Sequence, residues 1–199
     1  MKALLLIDIQ NDFLPDGALA VAEGDQVVPV ANRLMSEFAL VVATQDWHPS
    51  DHRSFASQHP RRHIREVINL SGFEQVLWPD HCMQGSHGAK LAPGLNLGEI
   101  DFIIQKGTDV DIDSYSGFFD NDHRKSTGLE ALLHEQGVQE VQLVGLATDY
   151  CVKFTALDAI SQGFKTSVVL DGIRGVELTP GDCERAIQDM RLAGVEIIQ

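Results

Sequence analysis

Six short aliphatic runs constrain this chain more than any other feature. Residues 3–9, 40–44, 100–105, 138–144, 166–170 and 195–198 are each rich in Val, Leu, Ile and Ala, and they read as near-continuous apolar stretches. A strand with one wet face alternates apolar with polar residues, whereas a near-continuous run of this length is buried on both faces. Between the runs the period changes to that of helices. Val27, Val28, Ala31, Leu34, Met35 and Phe38 recur at helical spacing behind Asp25, the expected cap. Shorter helices are expected over 127–136 and 150–162. A last one starts at Thr179-Pro180, with Pro at a favoured first position and Ala186, Ile187, Met190 and Leu192 on its apolar face. Strands alternating with helices define the α/β class, with a parallel sheet covered on both sides. At 199 residues and 44% hydrophobic content, one domain over residues 1–199 is expected.

Charge and cysteine usage narrow the function classes. A formal charge of −14 excludes a basic nucleic-acid surface. The opening MKALLLIDIQND has five apolar residues before Asp8, too few for a signal peptide or a membrane span. Cys82, Cys151 and Cys183 stand at unrelated spacings, so a reducing, cytoplasmic setting without disulfides is expected. Apolar helix faces toward the sheet and toward a second copy look alike, so a homo-oligomer stays open.

In open α/β sheets the binding site lies beyond the carboxyl ends of the strands. Asp8 ends the first run, Asp46 lies just past the second, Lys106 just past the third and Cys151 just past the fourth. Any one of these has an ordinary structural explanation; four at successive strand ends point to one crevice. Cys151 is expected on the first turn of the 150–162 helix, where unpaired N–H groups and the helix dipole favour thiolate. A small buried hydrophobe is the other reading of a free cysteine. A dinucleotide site is excluded: residues 8–13, DIQNDF, hold no glycine turn to admit a pyrophosphate, and a P-loop pattern is absent.

Periodicity fails over residues 45–99, apart from a possible short element near 64–69, and loops this long inside a domain are usually functional. Five of the eight histidines fall between Asp46 and His81: His48, His52, His59, His63 and His81. On an extended segment Asp46 and His48 point the same way, and His81 completes three protein ligands with positions left open, as in a catalytic metal site. Zn²⁺ suits this set best, and Fe²⁺ or Mn²⁺ also fit. A merely solvated loop is the competing reading, and Cys82 is a competing ligand.

The stretches DIQNDF (8–13), TQDWHPSDHRSFAS (44–57), LWPDHCMQGSHGA (77–89), QKGTD (105–109), DSYSGFFDN (113–121) and GLATDYCVKFTALDA (145–159) resemble the nicotinamidases of the isochorismatase-like cysteine hydrolases. The resemblance implies a three-layer α/β/α fold whose six-stranded parallel sheet has the order 3-2-1-4-5-6. It implies an Asp8, Lys106 and Cys151 triad, one divalent metal on Asp46, His48 and His81, and a cis Leu146–Ala147 peptide. The activity it implies is hydrolysis of nicotinamide to nicotinate and ammonia in NAD salvage, with pyrazinamide a related substrate. The oxyanion would take the N–H groups of Ala147 and Cys151, Phe13, Trp78 and Tyr115 would wall the ring, and Gln10 and Ser54 would orient metal-bound water. Whether His52 or Cys82 touches the metal is left undecided. Two rivals stand beside this reading: an amidohydrolase of the same superfamily acting on a carbamoyl or ureido group, and a non-catalytic metal-binding protein on the same sheet. Bound metal separates the first, since such relatives generally lack the Asp-x-His and distant His set.

Overall fold

The aliphatic runs do form one six-stranded parallel sheet in the computed structural model, which describes residues 1–70 and 72–199. Its strands are β1 (Lys2–Ile7), β2 (Val41–Asp46), β5 (Phe102–Lys106), β6 (Glu140–Leu146), β7 (Lys165–Arg174) and β8 (Glu196–Ile198). They lie in the order β5-β2-β1-β6-β7-β8, the 3-2-1-4-5-6 order the resemblance implies. The helices are α1 (Val27–Met35), α2 (Leu129–Glu135), α3 (Lys153–Ser161) and α4 (Asp182–Leu192). Successive residues of β1 point to opposite faces. Ala3, Leu5 and Ile7 pack with Leu129 and Leu133 of α2, Ala156 and Ala159 of α3 and Met190 of α4. Leu4 and Leu6 pack with Val27, Ala31 and Leu34 of α1, and also with Cys82, Ala89 and Leu95 from the long loop. The loop thus serves as the second half of the layer that α1 begins.

The element ends differ from the sequence expectation where local contacts decide. β1 stops at Ile7 because Asp8 takes a left-handed backbone (φ 47°), which leaves the strand path. β2 and β5 run further than their aliphatic content suggests, to Asp46 and Lys106, because the two strands pair in register up to that residue pair. β6 lies two residues later than expected, and β7 continues to Arg174 past a register shift against β6. Asp25 does not cap α1: it lies inside a single 3₁₀ turn, Gly24–Gln26, that leads into the helix. Pro180 also falls outside its helix. The Asp182 carboxylate accepts the Thr179 N–H at 2.8 Å, Gly181 turns left-handed, and α4 starts only at Asp182. Leu192, expected on its apolar face, is 77% exposed.

The long loop carries an antiparallel pair, β3 (Val67–Leu70) and β4 (Phe73–Val76), where one short element near 64–69 was expected. Ser71 lies outside the described residues. Most side chains of the pair are at least partly exposed, so its apolar signal is weak. Among the described residues, no helix is long and apolar enough to cross a membrane.

Candidate active site

The parallel register builds the centre of the site. Asp46 and Lys106 end neighbouring strands as direct partners, so their side chains leave the sheet on the same side. The Lys106 ammonium is fully enclosed. It lies 2.5 Å from Asp46 Oδ1, 2.9 Å from Asp8 Oδ2 and 3.5 Å from Cys151 Sγ, and it donates to the Ser114 carbonyl at 2.7 Å. One buried cation therefore touches the proposed nucleophile, the proposed base and a proposed metal ligand. Burial opposes its charge, but Asp46 and then Asp8 outweigh burial and hold its pKa well above the ordinary lysine value. Burial also pushes Asp46 upward, but Lys106 and His48 overcome it and hold that carboxyl far below the usual range. For Asp8 the balance reverses: burial, with Asp46 adding to it, outweighs Lys106 and raises the pKa.

Cys151 does not stand on the first turn of an α-helix. Thr148–Val152 forms a π-helical turn, in which the Ala147 carbonyl accepts the N–H groups of Tyr150 and Val152, and α3 follows it. Burial pushes the thiol well above its ordinary value, Lys106 pulls it down, and Asp8 and Asp46 push it up again. Burial and the two carboxylates thus favour the thiol form of Cys151. The Leu146–Ala147 peptide is cis.

Asp46, His48 and His81 each bring a ligand atom to within 4.8 Å of the others, and all three are buried. The His48 Nδ1 lies 2.8 Å from the Gly107 carbonyl, and the His81 Nδ1 2.8 Å from the Pro79 carbonyl. A carbonyl accepts only, so Nδ1 carries the proton in both rings and Nε2 is the atom left to ligate once the ring is neutral. His48 Nε2 is buried without a hydrogen-bond partner, as a metal ligand would be before its ion is counted. These donors fit a divalent metal such as Zn²⁺. Burial, then His48, lowers the His81 pKa to about 4, so this imidazole is neutral at physiological pH and able to ligate. Phe55, fully enclosed, meets both rings nearly edge-on at 5.6 Å and fixes their tilt.

Gly107 is required at its position. It has φ 62°, and a Cβ there would overlap the His48 ring. Gly107→Ala is expected to lower zinc affinity about tenfold to a hundredfold, the usual cost of disturbing a ligand's outer partner. Elemental analysis after dialysis against limiting metal reads this, and occupancy equal to the parent's would contradict it.

The remaining predicted residues are placed as follows. Phe13, Trp78 and Tyr115 line one mostly apolar cavity together with Cys151, Ala147, Asp46 and His81. Trp78 Nε1 and Gln75 Nε2 both donate to the Tyr115 hydroxyl, at 3.2 and 3.1 Å. The Gln10 Nε2 donates to the Asp46 and Ala89 carbonyls and its Oε1 accepts the Asp46 N–H, so the amide braces backbone at the end of β2. The Ser54 hydroxyl sits 2.7 Å from His52 Nδ1 and holds that ring. His52 is fully buried, its Nε2 has no partner, and it groups with His48 and Asp113 in a second set of ligand atoms. Cys82 is buried in the α1-side core, and among the described residues it joins none of the groups of converging ligand atoms. Sequence reading passed over Leu19, Asp113, Tyr150 and Val176, which also line the cavity. Tyr150 and Asp113 stand inside stretches already singled out; Leu19 and Val176 come from loops with no periodic signal.

A thiol and a carboxylate on one buried ammonium, at the strand tips of a doubly wound sheet and beside two imidazoles and a second carboxylate, define a metal-assisted cysteine hydrolase. Known proteins agree. Residues 2–199 match the Isochorismatase domain family. The nicotinamidase of Escherichia coli K12 is 48% identical over 98% of this chain and 93% of its own length. Among solved structures, a nicotinamidase/pyrazinamidase of Acinetobacter baumanii is 49% identical, with TM-score 0.97 over 100% of this chain and 95% of that one. A pyrazinamidase of Pyrococcus horikoshii solved in complex with zinc is 38% identical, with TM-score 0.83 over 100% and 98%. The chain belongs to the isochorismatase family.

Proposed function

We propose that this chain is a metal-dependent cysteine amidohydrolase that converts nicotinamide and water to nicotinate and ammonia, and that it also deamidates pyrazinamide. The observation that carries the reading is the Lys106 ammonium, which lies within 3.5 Å of Cys151, 2.9 Å of Asp8 and 2.5 Å of Asp46 and so ties thiol, base and metal nest into one unit. Asp8 takes the Cys151 proton as the sulfur attacks the carboxamide carbon, and Lys106 balances the negative charge passing between them. The N–H groups of Ala147 and Cys151 receive the oxyanion. Asp8, its pKa raised by burial, then returns the proton to the departing nitrogen, and the C–N bond breaks to leave a thioester and ammonia. Water adds to the thioester while Asp8 accepts its proton; the C–S bond breaks and the thiol is restored. When bound at Asp46, His48 and His81, a divalent ion such as Zn²⁺ supplies a Lewis-acid contact for the pyridine nitrogen. Phe13, Trp78 and Tyr115 wall the flat ring. The three free cysteines suit action in the cytosol.

Ammonia release from nicotinamide by the zinc-loaded protein tests this, against an N-carbamoyl amine as the competing substrate. Turnover of nicotinamide and not of the carbamoyl compound is expected; the reverse preference would overturn the reading. Chelation should raise KM for nicotinamide about tenfold or more, since a contact to a charged centre is worth about 1.5–3 kcal/mol, and added zinc should restore it. Unchanged KM in verified metal-free protein would remove the metal from substrate binding.

A further inference from the structure

We infer that Thr44 is a positioning residue for Asp8, one that fixes which carboxylate oxygen exchanges the proton. The inference rests on the reading of Asp8 as the base of an amide hydrolysis. Leaving β1 in a left-handed conformation, Asp8 turns its N–H out of the sheet's regular pairing. The Thr44 hydroxyl oxygen accepts that N–H at 3.1 Å and donates its own hydrogen to Asp8 Oδ1 at 2.6 Å. Both residues are fully buried, so no water can stand in for either bond. This reciprocal pair holds the Asp8 carboxylate by its own backbone, and a buried hydrogen bond to a charged acceptor is among the stronger ones.

The consequence concerns Oδ2. With Oδ1 committed to the hydroxyl, the other oxygen is the one that faces Lys106 Nζ at 2.9 Å, and it has no hydrogen-bond partner beyond that ion contact. A carboxylate oxygen of Asp8 lies within 4.8 Å of the Cys151 sulfur and of the Asp46 carboxylate, inside reach of small adjustments on substrate binding. Freed from Thr44, the carboxylate could turn to satisfy its own N–H, and Oδ2 would lose its place against Lys106. The rotamer of Thr44 is locked as well: its methyl packs against Gly117, where a Cβ would stand only 3.0 Å from it. A threonine therefore does what a serine does less well, holding the hydroxyl in one direction.

The test uses the zinc-loaded full chain with Thr44→Val, which keeps the shape and removes the hydroxyl, and Thr44→Ser, which keeps the hydroxyl. Thr44→Ala repeats the removal without the second methyl if the valine variant does not fold. Loss of aim should lower kcat about tenfold to a hundredfold with KM within about twofold of the parent's, and serine should recover most of it. Equal metal content in all variants excludes an effect passed through Asp46. Crystal structures should show the Asp8 carboxylate turned from Lys106 in the hydroxyl-free variants and in place with serine. Valine or alanine variants with the parent's kcat, or with the carboxylate unmoved, would overturn the proposal. A parent that releases no ammonia from nicotinamide would sink the reading of function instead, and the crystallographic comparison would still decide the role of Thr44.

Discussion

Replacing Cys151 by Ala should cut ammonia release from nicotinamide by about a thousandfold or more, because the covalent thioester route goes with the sulfur. The same change should barely touch the fold. The side chain is enclosed in the α2–α3 face of the core, and the loss of one sulfur leaves a void smaller than a methylene pair. Melting temperature and zinc content should therefore match the parent while turnover vanishes. Retained turnover would place the nucleophile elsewhere and dissolve the triad. A serine at 151 should recover little, because an alcohol is much harder to ionise than a thiol against a base as weak as a carboxylate.

What sequence alone could reach follows from the kind of signal each part leaves. The sheet was legible because strands buried on both faces leave unbroken apolar runs, as at Leu4, Leu5 and Leu6. The residues bearing the chemistry were legible because a parallel sheet brings successive strand ends to one side, so Asp8, Asp46, Lys106 and Cys151 could be placed there before any contact was known. What stayed hidden depends on backbone angles and reciprocal bonds. Nothing in the letters around Asp8 announces its left-handed turn, and Thr44 reads as one more β-branched strand residue. For Gln10 an amide near a metal loop suggests water, and its three bonds to backbone appear only in three dimensions. The thiol's setting was hidden for a related reason: a helix terminus is visible in sequence, while the burial and two carboxylates that raise the thiol pKa are not.

That imbalance of charge leads to the second large effect, expected at Lys106. Around the nucleophile the structure buries two carboxylates and one ammonium, and the ammonium touches both. Lys106→Met keeps the length and apolar stem but strands both acids in a region with no water to solvate them. Removing one partner of a buried ion pair costs about 3–5 kcal/mol. At about 2–4 °C per kcal/mol for a chain of this size, melting should fall by roughly 6–20 °C. Activity should fall with it, by about a hundredfold or more, because charge passing between sulfur and Asp8 loses its counterion. Adding Asp8→Asn separates the two roles. It removes one stranded acid and should regain several degrees of melting temperature, while turnover falls further for want of a base. Bound zinc, by facing Asp46, should stabilise the single variant more than the parent. A Lys106→Met protein that melts with the parent would mean that the two carboxylates are already neutral, and the ion cluster described here would then not exist in solution.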